Sequence, residues 1–333
     1  MAKPKIGIIG VGMVGGPIKR YFEEFRGYQR GKDLLCYDID PKKGLFDDVS
    51  QADIVFICVP TPASPNGQFN LSAVESALDM VGRQGKVGKI IVIKSTILPT
   101  STAYFQKLYP KHKIVFNPEF LTESQAWHDF IRPDRQIIGY TQASFGASSA
   151  VLSLLPQAPY MTPWGHGCYT PNRSSSTEAE MAKIAANVFG AVKVSFGNIL
   201  ADVAFALKDY SKQKGLESDV EYDNIRKIIA ADHRIGDSWL DVSYGDYCGF
   251  GGYCFPKDFN SFIHFLDELI EKIGKNKKNK DLVLCLEKGK KALRAIWDYN
   301  ETLLKVQNLT IEDVSQHDKD IVIKKKKNIR DKA

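Results

Sequence analysis

The run KIGIIGVGMVG, residues 5–15, decides the fold. It opens as KIGIIG (5–10), a short apolar stretch with no helical period, and closes as GVGMVG (10–15), a G-x-G-x-x-G pattern through Gly10, Gly12 and Gly15. A strand that enters a glycine turn and then a helix is the setting in which this pattern binds a dinucleotide. Gly10 permits the tight turn, and Gly12 lets a pyrophosphate approach the backbone at the positive end of the helix. Gly15 allows close packing of helix on strand, and Met13 and Val14 complete the loop. Asp38 closes the next apolar run, where a carboxylate can accept hydrogen bonds from the adenosine ribose hydroxyls. Its charge opposes a 2′-phosphate and favours NAD over NADP, whereas Lys42 and Lys43, just behind it, would suit a phosphate.

The same alternation continues through the first half of the chain. LLCYD (34–38), DIVFICV (53–59), KIIVIK (89–94), KIVF (113–116) and RQIIGY (135–140) are short and apolar, all but the first rich in Ile and Val, as strands buried on both faces are. Amphipathic stretches lie between them, among them LSAVESALDMV (71–81) and TSTAYFQKLY (100–109). This is a βαβ series, predicting an α/β, doubly wound parallel sheet of the Rossmann type over 1–170, with PYMTP (159–163) closing the sheet. After the turn-rich CYTPNRSSST (168–177) the pattern becomes helical. One long helix is predicted over 178–214, with others in 221–232, 258–273 and 281–305, giving an all-α domain over 171–306. The length and apolar content of the first of these suit a homodimer interface. Residues 307–333 show no core pattern apart from a short strand at 320–323, and read as a basic tail.

Composition sets outer bounds. A chain of 333 residues is too long for one ordinary core, and 44% hydrophobic with 25% charged residues is ordinary for a globular protein. Much of the net charge of +6 sits in KIGKNKKNK (272–280) and KKKKNIRDK (324–332), which read as solvated runs rather than a nucleic-acid surface. No uninterrupted apolar run reaches the roughly 18 residues of a membrane span, and the first strand begins too early for a signal peptide, so a cytoplasmic protein with no membrane partner is expected. Six cysteines without metal spacing are expected as thiols, with Cys36 and Cys58 packing inside apolar strands. The six histidines form no pair at metal spacing, so no metal is expected.

GFGGYCFPKD (249–258) places one cysteine among three glycines. Glycines let the backbone approach a ligand, and Lys257 and a helix start at Asp258 would favour thiolate. By itself the motif fits a nucleophile and a buried structural thiol equally well.

The string as a whole resembles the cysteine loop of the UDP-glucose/GDP-mannose dehydrogenase family. The likeness extends in order through GVGMVG, CVPTP (58–62), KST (94–96), NPEFLTESQAWHDF (117–130), AEMAKIAANVF (179–189) and RIG (234–236), covering about residues 5–305. The resemblance implies NAD as cofactor and a nucleotide sugar, UDP-glucose favoured, as substrate, whose C6 hydroxymethyl is oxidised to a carboxylate with two NAD. It implies that Cys254 attacks the intermediate aldehyde, and that Lys183 and Asn187 donate to the oxyanion. Asp258 and Thr96 would hold a water, and Glu119 would serve as general base. It further implies cofactor contacts from Pro60, Thr61, Thr96 and Glu123, and substrate contacts from Glu119, Phe120, Leu121, Phe250 and Gly251. Arg234 would reach the sugar across the dimer interface. Family members usually continue into a second Rossmann-like domain of on the order of 100 residues, which the likeness does not reach. Asp246 and Cys248 in LDVSYGDYC (240–248), and Ile199 where an acidic residue is expected, also depart from the family pattern. Two other readings stand beside it: a β-hydroxyacid dehydrogenase, which shares the Lys-x-x-x-Asn pair but has no cysteine loop, and a non-catalytic dinucleotide-binding module.

Overall fold

The computed structural model describes residues 3–64, 67, 69–163, 174–217, 219–242 and 247–316. Cys168, His166, His317, Asp246, the run 324–332 and the strand expected at 320–323 lie outside the described residues. The chain divides into two compact units, Met1–Ile184 and Ala185–Ala333.

In the first unit the strands are β1 (Ile6–Ile9), β2 (Leu34–Tyr37), β3 (Ile54–Ile57), β4 (Ile90–Ile93), β5 (Lys113–Phe116), β6 (Arg135–Ile137), β7 (Gly139–Tyr140) and β8 (Tyr160–Thr162). Helices α1 (Gly15–Glu24), α2 (Ser72–Gly82), α3 (Ser101–Leu108), α4 (Ala126–Ile131) and α5 (Phe145–Leu152) connect them. The main sheet has the order β2-β1-β3-β4-β5-β7, parallel up to β5. Strict alternation buries both faces. Ile6, Ile8, Phe56, Val92 and Val115 enter one core with Phe22 of α1. Ile9, Val55, Ile57, Ile91, Ile93, Ile114 and Phe116 enter the other with Val74 and Leu78 of α2 and Phe105 of α3.

The last strands depart from expectation. RQIIGY is two strands rather than one, and β8 does not close the main sheet. β6 pairs with β8 in a separate two-stranded sheet, while β7 runs antiparallel on β5 as the edge. The chain changes partners at Ile138, whose N–H donates to Thr162 O at 3.1 Å. Gly139 allows the switch, since a Cβ there would lie 2.6 Å from Ala179 Cβ and 2.8 Å from Ser176 Cα.

Helix α6 (Ser176–Gln213) is the long helix anticipated near 178–214, and it runs from the first unit into the second. Contrary to the reading of apolar run lengths, it contains an 18-residue window apolar enough to cross a bilayer by composition. Its Glu180 and Lys183 are buried, and Glu180 accepts from Thr100 and Thr102, as charged groups of a protein-packed helix do.

The second unit continues with α7 (Tyr222–Ala230), α8 (Phe255–Gly274), α9 (Lys280–Val306) and α10 (Ile311–Val314). Phe250, Phe259 and Trp297 pack as a ring cluster with centroids 5.5–6.0 Å apart. Tyr299 of α9 donates to Asp202 of α6 at 2.6 Å. The segment after α9 is folded as far as it is described. Val314 is buried against Tyr247 and Leu304, with Leu309 and Ile311 alongside. So short a segment carries too few apolar residues to show a period in sequence.

Candidate active site

The glycine turn follows β1 at the point where the strand order reverses between β1 and β3, the position at which open α/β sheets bind ligands. Gly10 has φ +82°, and a Cβ there would come within 2.6 Å of Cys58 O. A Cβ on Gly15 would sit 1.9 Å from Gly10 O, so only glycine fits under the turn. At Gly12 nothing lies within 4 Å of the added atom, which leaves the backbone open to a ligand beside the amide end of α1. Met13 and Val14 are half-buried between them. Asp38 is nearly buried at the end of β2. Its Oδ2 accepts from Val11 N at 2.7 Å and Lys43 Nζ at 2.8 Å, and its Oδ1 from Asp40 N at 2.9 Å. Burial pushes the Asp38 carboxyl up, but Lys43 and the Asp40 and Val11 amides outweigh it and hold it below the usual range. These residues fit a dinucleotide with an unphosphorylated ribose. Pro60, exposed, and Thr61, buried, follow β3, and half-buried Thr96 follows β4.

The NPEFL segment leaves the end of β5 and brings a carboxylate to a lysine. Lys183 Nζ lies 3.0 Å from Glu119 Oε1, with 5% and 12% of the two side chains exposed. The other oxygen of Glu119 accepts from Leu121 N at 2.8 Å. Burial raises the Glu119 carboxyl, but Lys183, the Leu121 amide and Lys94 together lower it overall, so it is held as an anion. The Phe120 ring lies under Arg135, 3.7 Å from ring centroid to guanidinium carbon, and 5.3 Å from Lys183 Nζ. Glu123 is half-buried at the start of a short 3-10 turn.

Lys94 and Asn117, both inside quoted motifs, form a buried polar pair that the sequence reading did not single out. Lys94 is 4% exposed and donates to Asn117 Oδ1 at 2.7 Å, and Asn117 Nδ2 donates to Gln136 Oε1 and Ile137 O. Burial lowers the Lys94 ammonium to about 8, with Lys183 adding repulsion and Cys58 and Glu119 opposing. The Cys58 thiol, also dominated by burial, is pushed up to about 12 and stays protonated. A lysine closing an otherwise apolar strand was the available signal.

In the second unit Cys254 is the N-cap residue of the 20-residue helix α8, at the end of the helix that favours negative charge. Asp258, in the first turn, is fully buried. Its Oδ2 accepts from Asn187 Nδ2 at 2.5 Å, and its Oδ1 pairs with Lys257 Nζ at 2.5 Å. Gly190, one turn beyond Asn187, gives room to the ring beside the thiol, since a Cβ there would lie 2.6 Å from Phe255 Cζ. A Cβ on Gly251 would strike Tyr247 Oη at 2.1 Å. Phe250, expected as a substrate contact, is buried. Its ring is 2% exposed in the core beside Phe259 and Trp297, and its N–H and C=O are both bonded to Asn300. Arg234 is exposed and held by Asp232 at 2.6 Å. Among the described residues no His, Cys, Asp and Glu group is placed to hold a metal.

Comparison with known proteins bears on both units. Residues 45–153 match the family model described as UDP-glucose/GDP-mannose dehydrogenase family, NAD binding domain, and residues 177–274 match the central domain of the same family. The chain belongs to the UDP-glucose/GDP-mannose dehydrogenase family. Over 235 residues it is 33% identical to a UDP-glucose 6-dehydrogenase of Pseudomonas aeruginosa, covering 67% of this chain and 47% of that protein. A Bacillus subtilis UDP-glucose 6-dehydrogenase is 29% identical over 299 residues, covering 78% and 58%. The chain thus spans about half the length of the curated relatives it matches. A UDP-glucose dehydrogenase structure from Pyrobaculum islandicum superposes with a TM-score of 0.66 at 26% identity, covering 90% of this chain and 68% of that one. A Mycobacterium tuberculosis 3-hydroxyisobutyrate dehydrogenase, at 16% identity and a TM-score of 0.55, shares the fold alone, covering 80% of this chain and 88% of that one.

Proposed function

We propose that the chain is an NAD-dependent nucleotide-sugar 6-dehydrogenase that converts the C6 hydroxymethyl of UDP-glucose, or of a related UDP- or GDP-sugar, to a carboxylate. The observation that carries this reading is a lone thiol at the N-terminus of α8, four residues from a buried carboxylate shared by Asn187 and Lys257. A simple alcohol dehydrogenase needs no such thiol.

Bound NAD would supply the hydride acceptor for both oxidations. The chain's residues supply the rest. Lys183 donates to the C6 oxygen as alkoxide character develops, and Asn187 offers its second amide hydrogen to the tetrahedral states. Cys254 adds to the aldehyde carbon to give a thiohemiacetal, whose oxidation leaves a thioester. Water then attacks, Glu119 takes its proton, and the thiolate departs.

The test is stoichiometric. Wild type incubated with UDP-glucose, and separately with GDP-mannose, is expected to release two NADH per sugar consumed against a no-sugar blank. Cys254→Ser is expected to lower carboxylate formation by about a thousandfold or more and to retain some first-step oxidation. One NADH per sugar from the wild type, or a Cys254→Ser enzyme at the wild-type rate, overturns the thioester route.

The same reading implies a cytoplasmic homodimer. Phe189, Phe196, Val203 and Tyr210 recur every seven residues on α6 and are 49–62% exposed, an apolar stripe that a second copy would cover. Arg234 would then serve the partner's sugar. Sedimentation at micromolar concentration is expected to give a dimer; a 37 kDa monomer, the mass of one chain, removes both claims.

A further inference from the structure

We infer that Asn300 and Gln307 of the second unit, with the main-chain carbonyl of Val314, are positioning residues for Cys254: together they clamp the glycine loop that delivers the thiol. The inference rests on the proposed role of Cys254, though the contacts themselves do not.

The five bonds fall on three alternate residues of the loop. Gln307 Oε1 accepts from Cys248 N at 2.8 Å, and Gln307 Nε2 donates to Cys248 O at 2.8 Å. Asn300 Oδ1 accepts from Phe250 N at 2.7 Å, and Asn300 Nδ2 donates to Phe250 O at 3.1 Å. Val314 O accepts from Gly252 N at 2.7 Å. Each side-chain amide therefore reads both polar groups of one loop residue, as a neighbouring β-strand would. A real strand could not occupy this place. Gly249 has φ +110° and Gly252 φ +73°, and a Cβ on Gly249 would lie 2.6 Å from Asn300 Oδ1. The loop is folded in a conformation that glycine alone adopts readily, and two amides replace the ladder it cannot form.

Asn300 lies in α9 and Gln307 caps its C-terminal end, and each is 1% exposed. Leaving either amide unpaired there would be destabilising, since a buried polar group without a partner keeps its full desolvation penalty. Cys254 follows two residues after the last clamped position and immediately begins α8. The clamp thus fixes one end of the short arm that carries the sulfur, while the helix fixes the other. A displacement of about 1 Å at a reacting atom can lower a rate by about a hundredfold.

The test uses the full chain and two near-isosteric changes, Asn300→Leu and Gln307→Met. Iodoacetamide labelling is quantified by peptide mass spectrometry at Cys254, with exposed Cys285 on α9 as the internal reference. Loss of the clamp is expected to raise the Cys254-to-Cys285 labelling ratio about fivefold or more, as local opening frees the loop. In NADH assays kcat is expected to fall by about ten- to a hundredfold, with KM for the sugar within about twofold. A labelling ratio and kcat both equal to wild type overturn the inference. Should the apolar variants not fold, Gln307→Glu retains the acceptor for Cys248 N and loses the donor, and the same two readouts decide. If the wild type makes no NADH from either sugar, the functional reading fails, and the labelling ratio still decides the clamp.

Discussion

Glu119 and Asp258 are both buried carboxylates facing a lysine, yet the fold delivers them by different means. Glu119 arrives on a loop leaving a parallel strand, and its lysine comes from a helix 64 positions later in the chain. Asp258 sits in the first turn of its own helix beside its lysine neighbour, with Asn187 as the distant partner. The first arrangement depends on a sheet holding a loop, and the second on a helix start. A third pair, Asp38 with Lys43, lies at the end of β2 with its lysine 36% exposed. The three form a gradient of burial, with side-chain exposures of 0% and 8% for Asp258–Lys257, 12% and 5% for Glu119–Lys183, and 7% and 36% for Asp38–Lys43. Removing one charge of a pair leaves the other uncompensated, and the penalty grows as water is excluded.

That gradient predicts the largest effect at Asp258. Asp258→Asn should lower unfolding free energy by about 3–5 kcal/mol, because Lys257 is then left charged beside a neutral amide that is itself sealed from solvent. Glu119→Gln should cost less, about 1–3 kcal/mol, while lowering kcat by about a hundredfold or more as the proposed base is lost. Urea midpoints of the two variants, compared at constant m-value, check the order. A larger loss at Glu119 would show that the loop after β5, rather than the start of α8, is the more tightly determined half.

A smaller effect should appear as pH dependence in the first unit. Glu180 accepts from the Thr100 and Thr102 amides at 2.7 Å each, holding the start of α3. Burial, only partly offset by those bonds, raises its carboxyl from 4.5 to about 7. Between those values the folded protein binds a proton that the unfolded chain does not, so this group's contribution to stability falls as pH rises from about 4.5 through 7. Lys94 acts in the opposite sense at higher pH. Its ammonium is lowered from 10.5 to about 8, so stability from this group rises as pH climbs through that interval. Glu180→Gln should flatten the acid-side slope, a change of up to about 3 kcal/mol, and leave the alkaline slope in place. Denaturant midpoints from pH 5 to 10 measure both, and an unchanged acid slope in Glu180→Gln would remove Glu180 as its source.

What the sequence made legible follows from range. β1 to β5 are continuous apolar runs, Ile- and Val-rich except for the LLCY of β2, whose period is local, and KIVF (113–116) coincides with β5 residue for residue. Gly10 and Gly15 are legible because their constraint lies within the motif or one strand away. RQIIGY hid its break, because the signal is a collision between Gly139 and residues about 40 positions on. Asn300 lay unremarked inside the helix expected over 281–305 and Gln307 inside the tail over 307–333, for their partners lie 50 and 59 positions upstream. The burial of Phe250 was hidden for the opposite reason. The residue stands inside a recognisable motif, but its ring serves the core. Motif membership located the cysteine loop without separating residues that face a ligand from those that hold the loop.

The smallest effect is expected at the outermost pair. Asp38 should favour NAD over NADP, because its carboxylate opposes a 2′-phosphate. The preference should nevertheless be modest, about tenfold or 1.4 kcal/mol. Lys43 lies on the same carboxylate oxygen that accepts from Val11 N, so part of the repulsion is neutralised at its source. Two variants separate these charges. Asp38→Asn should erase the preference by weakening NAD and leaving Lys43 free to meet a phosphate. Lys43→Met should widen it, because the carboxylate is then uncompensated. Quenching of tryptophan fluorescence by each cofactor, on the wild type and both variants, gives the six affinities needed. Tighter binding of NADP than NAD to the wild type would mean that the lysine, not the aspartate, sets the field at the ribose. The exposed pair would then obey a different rule from the two buried ones.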